Sequence, residues 1–282
     1  MVSEPESFVS LLERRWQQGH FVCVGLDPEY DRLPAVVKEG RTPEAALTLF
    51  ACSIIDATAD LVCAYKPNSA FYEAYGDAGI RALKQIVSYS KSKYPEIPII
   101  LDAKRADIGN TNLGYVSSSF DFLQADAITV HPYLGKEAMA PFLSRKDKGV
   151  IVLAKTSNPG SGEFQDLLVG ETREPLYLTV ARNVAHHWNN NGNCALVVGA
   201  TYPAELQRVR ELVGDLPLLI PGIGAQGGDV EATVKAGQDS RGWGMIINSS
   251  RGIIYASKGF DFAQAARTAT MALSTEINSY RS

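Results

Sequence analysis

Residues 101–111 read LDAKRADIGNT. An apolar run, Ile97 to Leu101, gives way to Asp102, Lys104, Arg105 and Asp107, so acids and bases alternate where a strand-like segment meets its loop. On an extended strand alternate side chains share a face, which sends Asp102 and Lys104 the same way and Ala103 the other. A single Asp or Lys in such a place is ordinarily a solvated loop charge. The pattern recurs, however, at the ends of other apolar runs: Asp27 after FVCVGL, Lys66 in LVCAYKPN, Lys155 and Ser157 closing GVIVLAKTS, and Ser249, Ser250 and Arg251 after GMIIN. Charges of both signs, collected from separate strands, can fix an electric field in a largely dry cavity. That is what stabilising a localised charge and delivering a proton require.

A second stretch, PGIGAQGGD at 221–229, follows the seventh apolar run. Gly222, Gly224 and Gly227 match G-x-G-x-x-G, a weak signal when alone. The next run ends in Asn-Ser-Ser-Arg rather than in the acidic residue a dinucleotide site uses, and too little chain remains for the rest of such a site. The other physical reading is a phosphate cradle. Glycines let backbone N–H groups approach an anion, and the N-terminus of the following helix adds a favourable dipole. Arg251 would supply a planar bidentate donor, and Gln226 could reach over the same group.

The elements that must position these residues are short apolar runs alternating with longer helix-like segments. The runs are Phe21–Asp27, Leu61–Asn68, Ile97–Lys104, Ala127–His131, Gly149–Lys155, Cys194–Ala200, Pro217–Pro221 and Gly244–Asn248. Helices are expected over Thr42–Asp60, with Thr42 as N-cap and Pro43 in the first turn, and over Ala78–Lys93, Leu113–Leu123, Lys136–Ser144, Leu176–Asn189, Ala204–Val213, Asp229–Ala236 and Phe260–Ile277. Ser7–Trp16 reads as an extra helix ahead of the first strand. Strands apolar throughout suit a parallel sheet covered on both faces. Eight strand–helix units in one domain, 1–282, fit a (β/α)8 TIM barrel, whose chemistry lies at the C-terminal ends of the strands. A doubly wound open sheet uses the same alternation.

Composition narrows the function. Of 282 residues 45% are hydrophobic, ample for a large core, and the net charge of −4 favours neither nucleic acid nor an anionic membrane surface. No apolar run approaches the roughly 20 residues of a membrane span, and the acidic, polar start MVSEPESF does not read as a secretory signal. Cys23, Cys52, Cys63 and Cys194 lie in apolar runs without metal-ligand spacing. They read as small core residues, and reduced thiols suit a cytoplasmic location. His20, His131, His186 and His187 include no pair with the spacing of common zinc sites, so no metal is expected.

With Asp27, Lys66, DAKRAD, Ser157 and PGIGAQGGD…SSRGIIYAS in order along nearly the whole chain, the sequence resembles the orotidine 5′-phosphate decarboxylase family, in its longer bacterial branch. DAKRAD fits the family's Asp-x-Lys-x-x-Asp signature at the end of the third strand. The resemblance implies cofactor-independent decarboxylation of orotidine 5′-phosphate to UMP and CO2, the last step of de novo pyrimidine synthesis. It implies a charge array of Lys66, Asp102, Lys104 and Asp107, with Lys104 as proton donor. Asp107 and Thr111 are expected to reach in from the partner subunit of a homodimer. Asp27 is implied as a ribose ligand, Ser157 as a pyrimidine contact, Gln226 and Arg251 as phosphate contacts, and Pro221 as a further substrate-binding residue. The long segments Pro28–Thr42 and Asn158–Pro175 depart from compact members. Arg105 reads as a surface ion pair. Two rival readings remain: a metal-dependent sugar-phosphate decarboxylase or aldolase of the same superfamily, which shares the Asp-x-Lys-x-x-Asp run, and a non-catalytic nucleotide-binding barrel, which would need no proton donor.

Overall fold

The structure, a computed structural model, describes residues 6–223 and 228–281. Among them, eight parallel strands form the central sheet: β1 (Val22–Gly25), β2 (Val62–Lys66), β3 (Ile100–Arg105), β4 (Ala127–Val130), β5 (Gly149–Lys155), β6 (Cys194–Val198), β7 (Leu218–Pro221) and β8 (Met245–Ser249). Each pairs with the next in sequence from β3 through to β8, β8 pairs with β1, and β1 pairs with β2. The remaining seam, β2 to β3, is closed by Tyr65 N–H donating to Pro98 O at 3.1 Å and Asp102 N–H to Pro67 O at 2.9 Å. The open-sheet alternative therefore falls, and the chain is a (β/α)8 barrel. Among the described residues, closure leaves the barrel itself without a free edge strand.

Each expected strand is present, and Gly149–Lys155 has the expected bounds. The strands form because β-branched and aliphatic side chains pack on both faces: β1, β2, β4, β6 and β8 are buried at every position. Crossover helices cover the outside. The helix Pro43–Thr58 begins as expected, with Thr42 Oγ1 accepting from Ala45 N–H. Two expected helices end differently. Those following β3 and β5 are α-helical over Gly109–Val116 and Leu176–Asn183 and finish in wide π turns, Ser117–Phe122 and Val184–Trp188.

The extra N-terminal helix, Phe8–Gln17, packs at the end of the barrel away from the charged strand ends. Arg15, buried, donates to Val62 O and Ala59 O, and the Trp16 indole N–H donates to Met245 O at 2.8 Å. Phe8, Leu12 and Trp16 are each at most 1% exposed, and burying such side chains contributes roughly 1.5–3 kcal/mol apiece. Cys23, Cys63 and Cys194 are buried free thiols and Cys52 is half-buried. Burial pushes Cys23 up to about 12 and Cys52 to about 11, so they are inert core residues. No helix of the described residues is long and apolar enough to cross a membrane.

Candidate active site

The C-terminal ends of the strands surround a cavity of about 600 Å³. Asp27, Lys66, Asp102 and Lys104 line one side, and Ser157, Pro221 and Arg251 line the rest with Asn68, Thr156, Asn158, Gln165, Asn248 and Ser250. Apolar side chains, among them Phe71, Leu153, Val197 and Leu219, complete the wall. A largely apolar pocket with a few convergent polar groups is the form of a small-molecule site.

Its charged centre is Asp102 on β3. One carboxylate oxygen accepts from Lys66 Nζ at 2.8 Å, and the other from Lys104 Nζ at 2.6 Å. Burial alone would raise the Asp102 carboxyl. The two ammonium charges and their hydrogen bonds outweigh it and hold the group well below the usual carboxylate range. Burial likewise disfavours the Lys66 ammonium, yet Asp102 and Asp27 overcome that and raise it above an ordinary lysine. Asp102 and Lys66 thus hold each other in the charged form although both are buried. Asp27 is held from just past the end of β2, accepting from Asn68 N–H at 3.1 Å.

The backbone at Lys104 is unusual. Its φ is +48°, a left-handed conformation that non-glycine residues rarely adopt. Such strain costs on the order of 1–3 kcal/mol and collects at functional sites. The β3–β4 register shifts between Leu101 and Arg105. The Lys104 N–H accordingly finds Thr129 Oγ1 at 3.0 Å on β4, and the same hydroxyl donates to Asp102 at 2.8 Å. Thr129 was not singled out from sequence, where AITV looks like any buried strand. Arg105 turns outward into a short ion pair with Glu73, as expected.

Two glycines let strands approach the site closely. A Cβ on Gly25 would lie 2.6 Å from Ser250 Cβ, and one on Gly199 would lie 2.8 Å from Ser157 Cβ. Ser250 is thereby brought against the end of β1, and Ser157 against the end of β6. Asn248 Oδ1 and Ser250 Oγ are buried and unpartnered among the described residues, although both side chains border the cavity.

Where a phosphate cradle is expected from the sequence, Pro221 ends β7 and Arg251 starts the short helix Arg251–Ile254. Ile223 and Gly228 bridge to each other. Gln226, with Gly224 and Gly227, lies outside the described residues. The helix after this turn, Val230–Gly237, does not offer a free N-terminus: Asp229 caps it, its carboxylate accepting from Ala232 N–H at 2.7 Å.

Three residues sit elsewhere than the cavity wall. Asp107 is half-buried, its carboxylate accepting from Ile108 N–H, and Thr111 is exposed; neither lines the cavity of its own chain. Lys155, though at the end of β5, turns away from the cavity to Asp166, with Nζ–Oδ1 2.6 Å. The register shifts between Leu153 and Lys155, which undoes the period-two alternation there. Asp166 belongs to the 158–175 segment. That segment is a short helical stretch, Pro159–Gln165, and a two-stranded antiparallel ribbon of Leu168–Val169 with Glu174–Pro175. From it Gln165 reaches back, its Oε1 accepting from Thr156 N–H at 2.9 Å.

Residues 20–268 match the family model described as Orotidine 5′-phosphate decarboxylase / HUMPS family. A curated Azoarcus sp. (strain BH72) protein named orotidine 5′-phosphate decarboxylase is 52% identical over 275 residues, covering 97% of this chain and 99% of that one. Among solved structures, Leishmania donovani OMP decarboxylase superposes with a TM-score of 0.83 at 39% identity, covering 97% of this chain and 98% of its own. Leishmania donovani UMP synthase superposes with a TM-score of 0.86 at 41% identity; the match takes in 98% of this chain and 56% of that longer one.

Proposed function

The chain belongs to the orotidine 5′-phosphate decarboxylase family of carboxy-lyases, and we propose on that premise that it converts orotidine 5′-phosphate to UMP and CO2 with the charge array of Lys66, Asp102, Lys104 and Asp107, without metal or organic cofactor. The observation that carries the reading is Asp102 held between two lysine ammoniums at the rim of a cavity that ends at Arg251.

In the proposed reaction the bond from C6 to the carboxylate carbon breaks, and its electron pair stays on C6 as CO2 leaves. No adjacent carbonyl delocalises that pair well, so the site must meet localised charge with preorganised charge. Lys104, the more exposed of the two lysines, attracts the developing carbanion and then gives C6 its proton, taking another from solvent afterwards. Asp102 lies where the departing carboxylate would crowd it, and like-charge contact disfavours the ground state. Both Asp102 oxygens are already engaged by ammonium groups, which makes the carboxylate a poor metal ligand. Asp27 would take a ribose hydroxyl, Ser157 the pyrimidine edge, and Gln226 and Arg251 the phosphate, whose binding energy closes the site, with Pro221 lining the substrate pocket.

Asp107 and Thr111 are proposed to complete the partner's site in a cytoplasmic homodimer, the whole chain 1–282 acting as one domain. Ile108 and Leu113, on the same stretch, are 58% and 56% exposed. Clustered apolar exposure of this kind marks an association surface.

The test follows loss of orotidine 5′-phosphate absorbance on adding the purified protein, with and without a chelator. Turnover unchanged by chelator is expected. Chelator-sensitive activity would favour the metal-dependent relatives, and tight nucleotide binding without turnover would favour a sensor.

A further inference from the structure

We propose that Thr129 is a positioning residue for this reaction: its single hydroxyl locks the Asp102 carboxylate and the Lys104 main chain together, and so aims the Lys104 ammonium. The inference rests on the decarboxylase reading and adds a residue that touches neither the cavity nor the substrate.

A hydroxyl has one proton and two lone pairs. At Thr129 its direction is forced. The Lys104 N–H can only donate, so Oγ1 accepts at 3.0 Å, and the ionised Asp102 carboxylate can only accept, so Oγ1 donates at 2.8 Å. Thr129 is 1% exposed, so water does not replace either bond. The shift in the β3–β4 register removes the regular ladder there, and the hydroxyl supplies the partner that the Lys104 N–H would otherwise lack. That bond holds Lys104 at φ +48°. The turn carries the ammonium back to 2.6 Å from Asp102 Oδ1, the same oxygen that Thr129 holds. One side chain thus fixes both ends of the Lys104–Asp102 pair, backbone at one end and carboxylate at the other. Val has the shape and strand propensity of Thr, so the strand itself does not require the hydroxyl.

The experiment compares Thr129→Val and Thr129→Ser with wild type, reading kcat, KM and thermal midpoint. Thr129→Val keeps the shape and loses both bonds. Its kcat should fall by roughly 10- to 100-fold with KM within about 3-fold, because substrate contacts remain while the proton donor loses its aim. Thr129→Ser keeps the hydroxyl, and kcat should return to within about 3-fold of wild type. A wild-type kcat in folded Thr129→Val overturns the proposal, as does a Thr129→Ser variant damaged as badly as Thr129→Val, which would make the role one of packing. Should Thr129→Val not fold, Thr129→Cys, a weak donor of similar size, takes its place against Thr129→Ser under the same criteria. Wild type run alongside keeps the two ideas apart: no turnover by wild type sinks the decarboxylase reading, whereas turnover with an undisturbed valine variant sinks only the positioning role.

Discussion

Lys66 Nζ lies 2.8 Å from Asp102 Oδ2, and the two side chains are only 5% and 11% exposed. The pair spans the β2–β3 seam, where main-chain pairing is reduced to isolated bridges such as Asn68 with Asp102. Burying two charges is expensive, and their attraction offsets the cost only when geometry and further hydrogen bonds are good. Here Asp102 receives three donors, from Lys66, Lys104 and Thr129. A pair arranged in this way contributes little net stability while intact. Its value is orientation, and its vulnerability is that either partner alone is a buried unpaired charge.

Asp102→Asn should therefore destabilise the protein by about 3–5 kcal/mol at neutral pH, since it strands Lys66. The folded carboxyl is held well below its unfolded value, near 4. Its contribution is fully present above that unfolded value and is lost as pH falls from about 4 towards the folded one. Urea unfolding of wild type and Asp102→Asn should thus differ by a constant amount from pH 7 to 5, and the gap should shrink below about pH 4. A gap that stays constant into acid would show that the carboxylate charge is not its source.

Arg251→Ala should act on recognition rather than chemistry. Its guanidinium borders the cavity and makes no ion pair among the described residues. A charged hydrogen bond is worth about 1.5–3 kcal/mol, so KM for the nucleotide should rise roughly 10- to 100-fold. Turnover of the nucleoside lacking phosphate should change far less. Equal losses on both substrates would remove Arg251 from the phosphate site.

The sequence made the barrel legible because each parallel strand is a run of aliphatic residues with charge at its end. The helix at Pro43 was legible from Thr42 and its first turn. Where it was silent, tertiary geometry decided. The alternation from Leu153 should bring Lys155 into the cavity, but the irregularity in β5 sends it to Asp166, and no residue type announces such a shift. The ribbon of Leu168–Val169 and Glu174–Pro175 is too short for a period to emerge. Thr129 sits in AITV, where strand propensity hides the use of its hydroxyl. Asp107 and Thr111 have no place at the cavity of their own chain, so their proposed role belongs to an assembly.

The Lys155–Asp166 pair gives that hidden geometry a measurable consequence. Lys155 is 1% exposed and Asp166 about half, and the preceding residue, Gln165, forms part of the cavity wall. Asp166→Asn should loosen the 158–175 segment. We expect KM to rise about 3- to 10-fold, as befits a partly exposed pair, with kcat nearly unchanged and faster proteolytic nicking within 158–175. A protease pattern identical to wild type would mean the pair does not hold the segment.

The final prediction concerns assembly. If Asp107 works across a two-fold interface, each site combines Lys104 of one chain with Asp107 of the other. Lys104→Ala should lose about 10³-fold or more in kcat, since the change removes both the cation and the proton donor, and Asp107→Ala homodimers should also be nearly inactive. When the two variants are dissociated, mixed equally and allowed to re-pair at random, about half the dimers are hybrids. In each hybrid one site carries both lesions and its mate carries none. The mixture should recover roughly a quarter of wild-type activity, half the dimers each with one intact site of two. Residues serving a site from the same chain cannot complement in this way, because every hybrid site would keep one lesion. Subunit exchange verified by mass-labelled chains, with no recovery of activity, would therefore eliminate the shared site and return Asp107 to a role within its own chain.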